Sequence, residues 1–498
     1  MTILPLFDTS SYPNTSQPST KRQKPNVNMC LDGYMFNQEL RFVRKIGAGT
    51  YGLIYLVENI YTKKQFAAKM VLKQQPMKLG TQSPASSSSS KQLIQQQFYQ
   101  YFLNHVIPKP RSIDFDYIKG QGHDCQFLTE IALHLQVHDH PNVVTIHEVF
   151  ELENFAVVIL LDHFDQGDLF ENIIDMQIFQ SRRSDREKQL MMKNAMLQLI
   201  QVVDYCHQKS IYHCDLKPEN IMVKFNSNYK RQPHSPIIDY NELQLVLIDF
   251  GLALDSNLIN SNMCRGSSFY MSPERVTNFT TSKLVKSLVN VRQFSTNVNG
   301  TVYLPTLPGD IWSLGVLFIN ITCSRNPWPI ASFNEGGNDV FVNYMLKNQK
   351  DILRSILPIS NQFNKILVSI FQLNPNERVG LHQLYKAVTR YDFFHDHDYF
   401  QPKPVQHKSN PQLYTPPDSL TYNSYASEFE MEVEDGEEED MDEEEYDDDD
   451  EEEEEEEEDW VDAEEFTEVK TAHNCPIQQA FSRVMPKFVH HNNNTVIC

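Results

Sequence analysis

The sequence lacks the features of a secreted, zinc-stabilised or membrane-spanning protein. Its eight cysteines form no CxxC pair, have no histidine partners at zinc-site spacing and are too sparse for a disulfide framework. The longest apolar run, residues 155–161, is far shorter than the ~20 residues that a helix needs to cross a bilayer. The N-terminal residues have neither the basic start nor the apolar segment of a signal peptide. We therefore expect an intracellular protein without membrane contact, cytoplasmic unless the basic residues 21–24 act as a nuclear address.

Negative charge is concentrated at one end of the chain. The formal net charge is −23, and residues 401–498 contain 31 acidic residues but only 5 basic ones. The remaining 35 acidic and 38 basic residues give residues 1–400 a net charge of +3. Runs of like charge repel each other and cannot form a core, so we interpret the acidic end as a solvated tail. Binding of basic partner proteins by this tail stays open as an alternative, and no nucleic-acid partner is expected.

The composition indicates one folded region between two disordered segments. Residues 1–37 are rich in Ser, Thr, Pro and Asn, and residues 397–498 are Pro- and Asn-rich and then acidic, so neither has much to bury. Residues 38–396 carry strand patterns followed by long helical patterns. Three interruptions are predicted to be insertions: residues 74–112, 224–241 and 277–305.

Two stretches in the strand region are suited to holding phosphate groups. The sequence "GAGTYGLI" places Gly47, Gly49 and Gly52 between two strands, where a backbone without side chains can fold closely over phosphates and offer N–H donors. Lys69 lies in the apolar strand "KKQFAAKMVL", where its charge is costly unless an anion or a carboxylate pairs with it. Taken singly, a glycine turn and an edge-strand lysine would explain these residues equally well.

A second group of polar residues follows the long helical pattern. The sequence "HCDLKPEN" contains an acid, a base and an amide within six residues: Asp215, Lys217 and Asn220. Asp215 can accept a hydroxyl proton, Lys217 can neutralise a phosphate, and the Asn220 oxygen can bind Mg²⁺. In "LIDFGLA", Asp249 follows a buried strand and is a second candidate ligand for Mg²⁺.

These motifs, together with "YMSPE" and "DIWSLG", occur in the order typical of eukaryotic protein kinases, and residues 38–396 resemble that family. "DLKPEN" and "GSSFYMSPE" resemble the serine/threonine branch. The cysteine in "HCD" and the insertions resemble a fungal group that comprises the meiosis-repressing and glucose-response suppressor kinases. The resemblance implies an α+β, bilobal fold with a small, mainly β N-lobe (residues 38–161) and a larger helical C-lobe (residues 165–396).

The resemblance also assigns roles to individual residues. Asp215 would be the catalytic base, with Lys217 and Asn220 beside it, and Asn220 and Asp249 would hold Mg²⁺. Lys69 would hold the ATP phosphates and pair with Glu130 of the following helix. The other residues expected to bind ATP are the glycine-loop residues Ile46, Gly47, Gly49, Gly52 and Ile54, the hinge residues Asp162 and Phe164, and Asp168 near the ribose.

Three departures from the family pattern bear on these roles. The chain between Lys69 and Glu130 is longer than usual, so their pairing requires the insertion to loop out. The chain between Asn220 and Asp249 is also extended. Cys214 replaces the arginine that, in the family, meets a phosphate on the activation segment. We therefore expect activity without phosphorylation at the candidate sites Ser256, Ser261, Ser267 and Ser268, while a redox role for Cys214 is the rival interpretation.

The implied activity is transfer of the ATP γ-phosphate to Ser or Thr hydroxyls of protein substrates, in nutrient (glucose) or developmental signalling. Asp168 and Glu219 resemble carboxylates that pair with arginine just before the phosphoacceptor, so we expect substrates with Arg upstream of it. The alternative is that Asp168 bonds only the ribose and Glu219 faces water. A different class of function, a pseudokinase scaffold, would require that the base, a metal ligand or the strand lysine be missing, and each is present.

Overall fold

The computed structural model describes the chain in nine ranges: residues 30–48, 52–73, 87–105, 108–122, 128–181, 184–226, 228–232, 235–333 and 339–396. The predictions for Gly49, for the segment before residue 30 and for the acidic tail (residues 397–498) lie outside these ranges. Among the helices that are described, none is both long and apolar enough to span a membrane.

The first part of the chain forms an antiparallel six-stranded sheet with the order β1-β2-β3-β6-β5-β4. Residues 156–162 at its centre are almost all apolar, and their side chains alternate between two buried clusters, with Val158 and Leu160 on one face and Val157 and Ile159 on the other. The strands are β1 (Leu40–Ala48), β2 (Gly52–Asn59), β3 (Gln65–Leu72), β4 (Arg111–Ser112), β5 (Ile146–Leu152) and β6 (Ala156–Asp162). The helices of this lobe are α1 (Ser87–Asn104), α2 (Phe115–Gln121) and α3 (Thr129–His134).

The folded N-lobe contains more of the chain than the sequence predicts. In the insertion at residues 74–112, helix α1 buries Ile94, Phe98 and Phe102, which recur every four residues on one helix face. They pack in one cluster with Leu31 and Phe36, which precede the predicted start of the domain at residue 38. Residues rich in Ser and Gln flank this apolar stripe, and such a composition favours a surface loop over a packed helix.

The second part of the chain is mainly helical, and the predicted bilobal α+β fold is confirmed. Its central helices are residues 185–208 and 307–323, in which most side chains are buried. The helices are α4 (Leu169–Ile174), α5 (Asp185–Gln208), α6 (Pro273–Val276), α7 (Lys283–Leu288), α8 (Leu307–Cys323), α9 (Asp339–Met345), α10 (Ile352–Ile356), α11 (Asn361–Ile370) and α12 (Leu381–Arg390), with short 3-10 helices at Pro218–Asn220, Val291–Gln293 and Pro375–Glu377. The strands are β7 (Ile221–Phe225), β8 (Leu243–Leu247), β9 (Leu258–Asn260), β10 (Thr296–Val298) and β11 (Thr301–Pro305).

The other two predicted insertions also contribute folded structure to the C-lobe. The segment at 224–241 connects β7 to β8 and carries Arg231, whose guanidinium forms a buried ion pair with Glu242. The segment at 277–305 supplies α7, β10 and β11. Strand β11 pairs with β9 in the antiparallel order β10-β11-β9, and we call this three-stranded arrangement the insert sheet. Because β9 lies in the activation segment, between Asp249 and Glu274, this insertion contacts a functional element.

Candidate active site

Lys69 and two carboxylates meet at the centre of the N-lobe side of the site. Lys69 lies on β3 between Ile54 of β2 and Ile159 of β6. Its Nζ is 2.5 Å from Glu130 Oε1 and 2.9 Å from Asp249 Oδ1. Glu130 lies in the first turn of α3, so the extended chain after β3 loops out without moving this glutamate away. The structure thus brings together the three residues that the sequence predicts to act on the ATP phosphates and Mg²⁺.

The electrostatics of this trio favour full ionisation. Burial alone disfavours the charge on Lys69, but Glu130 and then Asp249 outweigh it, and the pKa of Lys69 is raised. Burial alone would likewise raise the pKa of Asp249, but the charge of Lys69 lowers it below its usual range. Asp249 has a left-handed backbone (φ 63°), which is uncommon outside glycine and is often found at functional sites.

Asp215, Lys217 and Ser267 form a hydrogen-bonded group on the C-lobe side. Lys217 Nζ donates to Asp215 Oδ2 (2.7 Å) and to Ser267 Oγ (2.9 Å), and the Ser267 hydroxyl donates to Asp215 Oδ1 (2.7 Å). The sequence alone indicates only a candidate phosphosite at Ser267 and does not predict this contact. Its position in "GSSFYMSPE", close before the Pro-Glu pair, was the available signal. A phosphate on Ser267 would lie against the carboxylate of Asp215.

Asn220 is oriented so that its amide oxygen is available for a cation. Its Nδ2 donates to the carbonyl of Asp215 (2.9 Å) and to Asp215 Oδ2 (3.0 Å), which fixes the amide plane. The opposite end of the amide is Oδ1, an acceptor. With the carboxylate of Asp249 it makes an all-oxygen donor set, the kind that Mg²⁺ prefers. Both residues therefore fit the predicted role.

Residues 213–220, which we call the catalytic loop, are anchored to α8 through their backbone. Asp310 Oδ2 accepts from the amide of His213 and Asp310 Oδ1 accepts from the amide of Cys214, both at 3.0 Å. The His213 ring packs edge-on against Phe250, with centroids 5.1 Å apart. These contacts fix the residues immediately before Asp215.

Cys214 is buried and also has a left-handed backbone, with φ 63°. Burial raises the pKa of its thiol to about 12, although the nearby Arg275 opposes this shift. The thiol is therefore protonated at neutral pH, which does not favour a redox role. A cation does lie beside the cysteine, since Arg275 is buried next to it and pairs with Asp310 at 3.6 Å.

The glycine loop lies on β1 and β2. Ile46 and Gly47 are in β1, Gly52 and Ile54 are in β2, and Gly47 pairs with Ile54. A side chain at position 52 would bring its Cβ to 1.9 Å from the Met70 carbonyl, so only glycine fits there. The loop tip with Gly49 lies outside the described residues.

The predicted hinge residues follow the last residues of β6. Asp162 ends this strand, and its Oδ1 is 2.6 Å from His147 Nε2. Phe164 is half-buried two residues later. Asp168 caps α4, where Oδ1 accepts from the Glu171 amide at 2.8 Å. One oxygen of Asp168 thus has a structural role that the sequence analysis did not predict.

The activation segment is held at several points. Arg265 donates to the carbonyls of Leu252 (2.9 Å) and Ala253 (3.4 Å), and Ser261 is buried beside the insert sheet, where its amide donates to Val302. Ser256 is exposed, and its hydroxyl donates to the Leu258 carbonyl two residues on.

The end of the segment is fixed by a buried ion pair. The terminal nitrogens Nη1 and Nη2 of Arg378 each donate to a carboxylate oxygen of Glu274 at 2.7 Å. Burial alone would raise the pKa of Glu274, but Arg378 lowers it, so the carboxylate stays charged.

Comparison with known proteins places this geometry in a family. The family described as "Protein kinase domain" matches residues 116–388, which include Glu130 and the whole C-lobe side of the site. The chain belongs to the protein kinase family. The match begins after β3, so Lys69 and the glycine loop lie outside it.

Relatives of this protein kinase chain include fungal serine/threonine kinases, which confirms the predicted resemblance. Serine/threonine-protein kinase SKS1 of Saccharomyces cerevisiae is 34% identical over 364 residues, 70% of this chain and 64% of that protein. Serine/threonine-protein kinase VHS1 of the same yeast is 33% identical over 356 residues, 69% and 68%. The "Negative regulator of sexual conjugation and meiosis" of Schizosaccharomyces pombe is 31% identical over 368 residues, 74% and 63%. The chain thus spans about two thirds of the length of these relatives.

Proposed function

We propose that this protein is a serine/threonine protein kinase that transfers the γ-phosphate of ATP to protein hydroxyls. The observation that carries the proposal is the complete hydrogen-bonded group around Asp215, which includes Lys217 and Ser267. It lies in a chain that also keeps the Lys69–Glu130 ion pair. A scaffold that had lost catalysis would not need either group.

The residues divide the chemistry between them. Asp215 is largely buried and accepts the proton of the attacking hydroxyl, while Lys217 places positive charge beside the transferring phosphate. Lys69, fixed by Glu130, holds the phosphates of ATP. Mg²⁺ held by Asn220 and Asp249 would neutralise the phosphate oxygens. Catalysis then depends on positioning and on charge, and no covalent intermediate with the enzyme is required.

Arg-containing substrates are supported by the acidic groups near the phosphoacceptor site. Glu219 is exposed, next to the Asn220 that bonds Asp215. Burial raises the pKa of Asp168, and the negative charge of Asp168 also disfavours the ionised form of the exposed Glu219. A guanidinium would relieve this carboxylate repulsion. We therefore include a preference for Arg two or three residues before the Ser or Thr.

Activity without activation-segment phosphorylation is supported by the contacts that already hold this segment. Near its start, Arg265 donates a hydrogen bond to the Leu252 carbonyl. Its middle is paired with the insert sheet through β9, and its end is fixed by the Glu274–Arg378 ion pair. Of the predicted phosphosites, Ser261 is buried and Ser267 bonds Asp215. A phosphate at either of these two positions is therefore not needed to order the activation segment.

The cellular role is proposed from the charge pattern and the relatives. The Schizosaccharomyces pombe relative is named for negative regulation of conjugation and meiosis, which supports a role in developmental signalling. Nutrient signalling is the other proposed role. Basic proteins are the proposed partners of the acidic tail, whose charge is the only support. Comparing protein binding by the whole chain and by a chain ending at residue 400 tests this.

The kinase proposal is tested by Asp215→Ala. Loss of the base should lower turnover on a Ser-containing peptide by roughly 10²–10⁴-fold, because general-base catalysis contributes about that much. The affinity for ATP should stay close to that of the wild type. Asp185→Ala, an exposed acid on α5, is the matched control and should keep full turnover. Equal turnover in Asp215→Ala and wild type would contradict the proposal.

A further inference from the structure

Arg275 is buried beneath the catalytic loop without a full set of charged partners. It lies on α6, its side chain is 2% exposed, and among the described residues it forms an ion pair with Asp310 that spans 3.6 Å. Two of its nitrogens point to main-chain carbonyls, those of Thr306 (2.8 Å) and Cys214 (3.5 Å). Burial of a cation is costly, and removing this one alone would leave the carboxylate of Asp310 buried without a cationic partner.

The carbonyl that Arg275 meets belongs to a strained residue. Cys214 has a left-handed backbone, which a residue with a side chain keeps only when its surroundings hold it. Asp310 accepts from its amide at 3.0 Å, and Arg275 donates to its carbonyl. The two ends of Cys214 are thus held by the opposite members of one buried ion pair, and Asp215 is the next residue.

Two small residues make room for the guanidinium. A Cβ at Gly309 would come within 2.4 Å of the Arg275 guanidinium carbon and Nε, so any side chain at 309 would displace it. The thiol of Cys214 is close enough to Arg275 for the cation to oppose the rise in its pKa. Cys214, Arg275 and Gly309 therefore fit each other in size and in charge.

We infer that Arg275 is a positioning residue for Asp215, acting through the peptide unit of Cys214. The inference rests on the proposed kinase function. Arg275 reaches this peptide unit from α6 and is at the same time paired with Asp310, which holds the amide side of Cys214.

The test compares Arg275→Leu, Arg275→Lys and Gly309→Ala with the wild type. Turnover of Arg275→Leu should fall about tenfold to a hundredfold, the effect expected of a misplaced catalytic group, while the affinity for ATP stays unchanged. Arg275→Lys should recover part of the turnover. Gly309→Ala should resemble Arg275→Leu, and adding it to Arg275→Leu should cost little more, because leucine lacks the displaced guanidinium.

Hydrogen exchange separates positioning from general stability. The amides of Cys214 and Asp215 should exchange faster in Arg275→Leu and Gly309→Ala. The matched control is Arg231→Leu, which removes a buried, ion-paired arginine from the β7–β8 connection and should leave those amides unchanged. Amide exchange can be measured whether or not the protein is active. An inactive wild type would refute the proposed function, and the exchange rates of Cys214 and Asp215 would still decide whether Arg275 positions this segment. Unchanged exchange with unchanged turnover in Arg275→Leu, or additive losses in the double variant, would overturn it.

Discussion

The insert sheet offers a direct way to loosen the activation segment without touching the catalytic residues. Leu304 on β11 pairs with Ile259 on β9, inside the activation segment. Both are buried in a small cluster whose other members are Phe279, Val285, Val291 and Phe294. Because this cluster is separate from the main C-lobe core, its loss should open the segment locally and leave the rest of the lobe folded.

The expected magnitude follows from the burial of Leu304, which is 1% exposed. Replacing a buried leucine by alanine costs ~2–5 kcal/mol. A loss of ~3 kcal/mol raises the population of the open form by about a hundredfold, since each ~1.4 kcal/mol is a factor of ten. Leu304→Ala should therefore speed amide exchange at Leu258–Asn260 by about that factor and lower kcat/KM for a peptide substrate, with ATP affinity unchanged.

The matched control is Leu384→Ala on α12, where the leucine is equally buried but belongs to the main C-lobe core. It should lower the melting temperature and leave exchange at Leu258–Asn260 as in the wild type. If Leu304→Ala shows wild-type exchange in the activation segment and wild-type kcat/KM, the insert sheet does not hold this segment.

Three further predictions concern nucleotide binding, substrate choice and pH. Asp249→Ala should weaken Mg²⁺-ATP binding in a nucleotide titration, and unchanged affinity would exclude Asp249 as a ligand. Glu219→Gln should raise KM about fivefold for a peptide with Arg before the Ser, as expected for the ~1 kcal/mol of an exposed pair, and not for its Ala analogue; equal effects on both peptides would argue against an arginine site. Burial lowers the pKa of His134 to about 3 and of His140 to about 4, so both stay neutral in the folded protein at pH 5 while the unfolded chain protonates them below about 6.5. The unfolded state then binds more protons, and the free energy of unfolding should fall between pH 6.5 and pH 4 by up to ~1.4 kcal/mol per pH unit for each histidine. In denaturant melts, the free energy of unfolding of His140→Asn should fall less steeply with decreasing pH than that of the wild type. An unchanged slope would contradict the lowered pKa of His140.

The motifs allowed the sequence to predict the catalytic geometry because they are short and local. Asp215, Lys217 and Asn220 lie within six residues, so their mutual distances depend on one loop. The charge of Lys69 on an apolar strand indicates that a carboxylate or another anion lies nearby, but it does not say which one. Glu130 could be named across the long insertion only because the resemblance to protein kinases implies a glutamate in the following helix, and the structure places it against Lys69.

The contacts that the sequence did not predict are those between distant segments with no motif. Helix α1 buries a residue at every fourth position, but Leu93 and Leu103 are exposed and the stretch is Ser- and Gln-rich, so the sequence did not indicate its burial against Leu31 and Phe36. The pairing of β11 with β9 joins two short strands, whose register depends on the whole C-lobe. Arg275 follows a recognised motif, yet its burial depends on Gly309, and only the packed structure relates these two residues.

Phosphate transfer by unphosphorylated protein tests the central claim most directly. The whole chain is produced without other kinases, treated with phosphatase, freed of it, and mixed with labelled ATP, Mg²⁺ and an Arg-containing Ser peptide, with Asp215→Ala in parallel. We expect the peptide to be labelled at once, at about 1–100 turnovers per second, and Asp215→Ala to be nearly inactive. No labelling by the wild type, or labelling that begins only after a phosphate is added to the activation segment, would contradict the account.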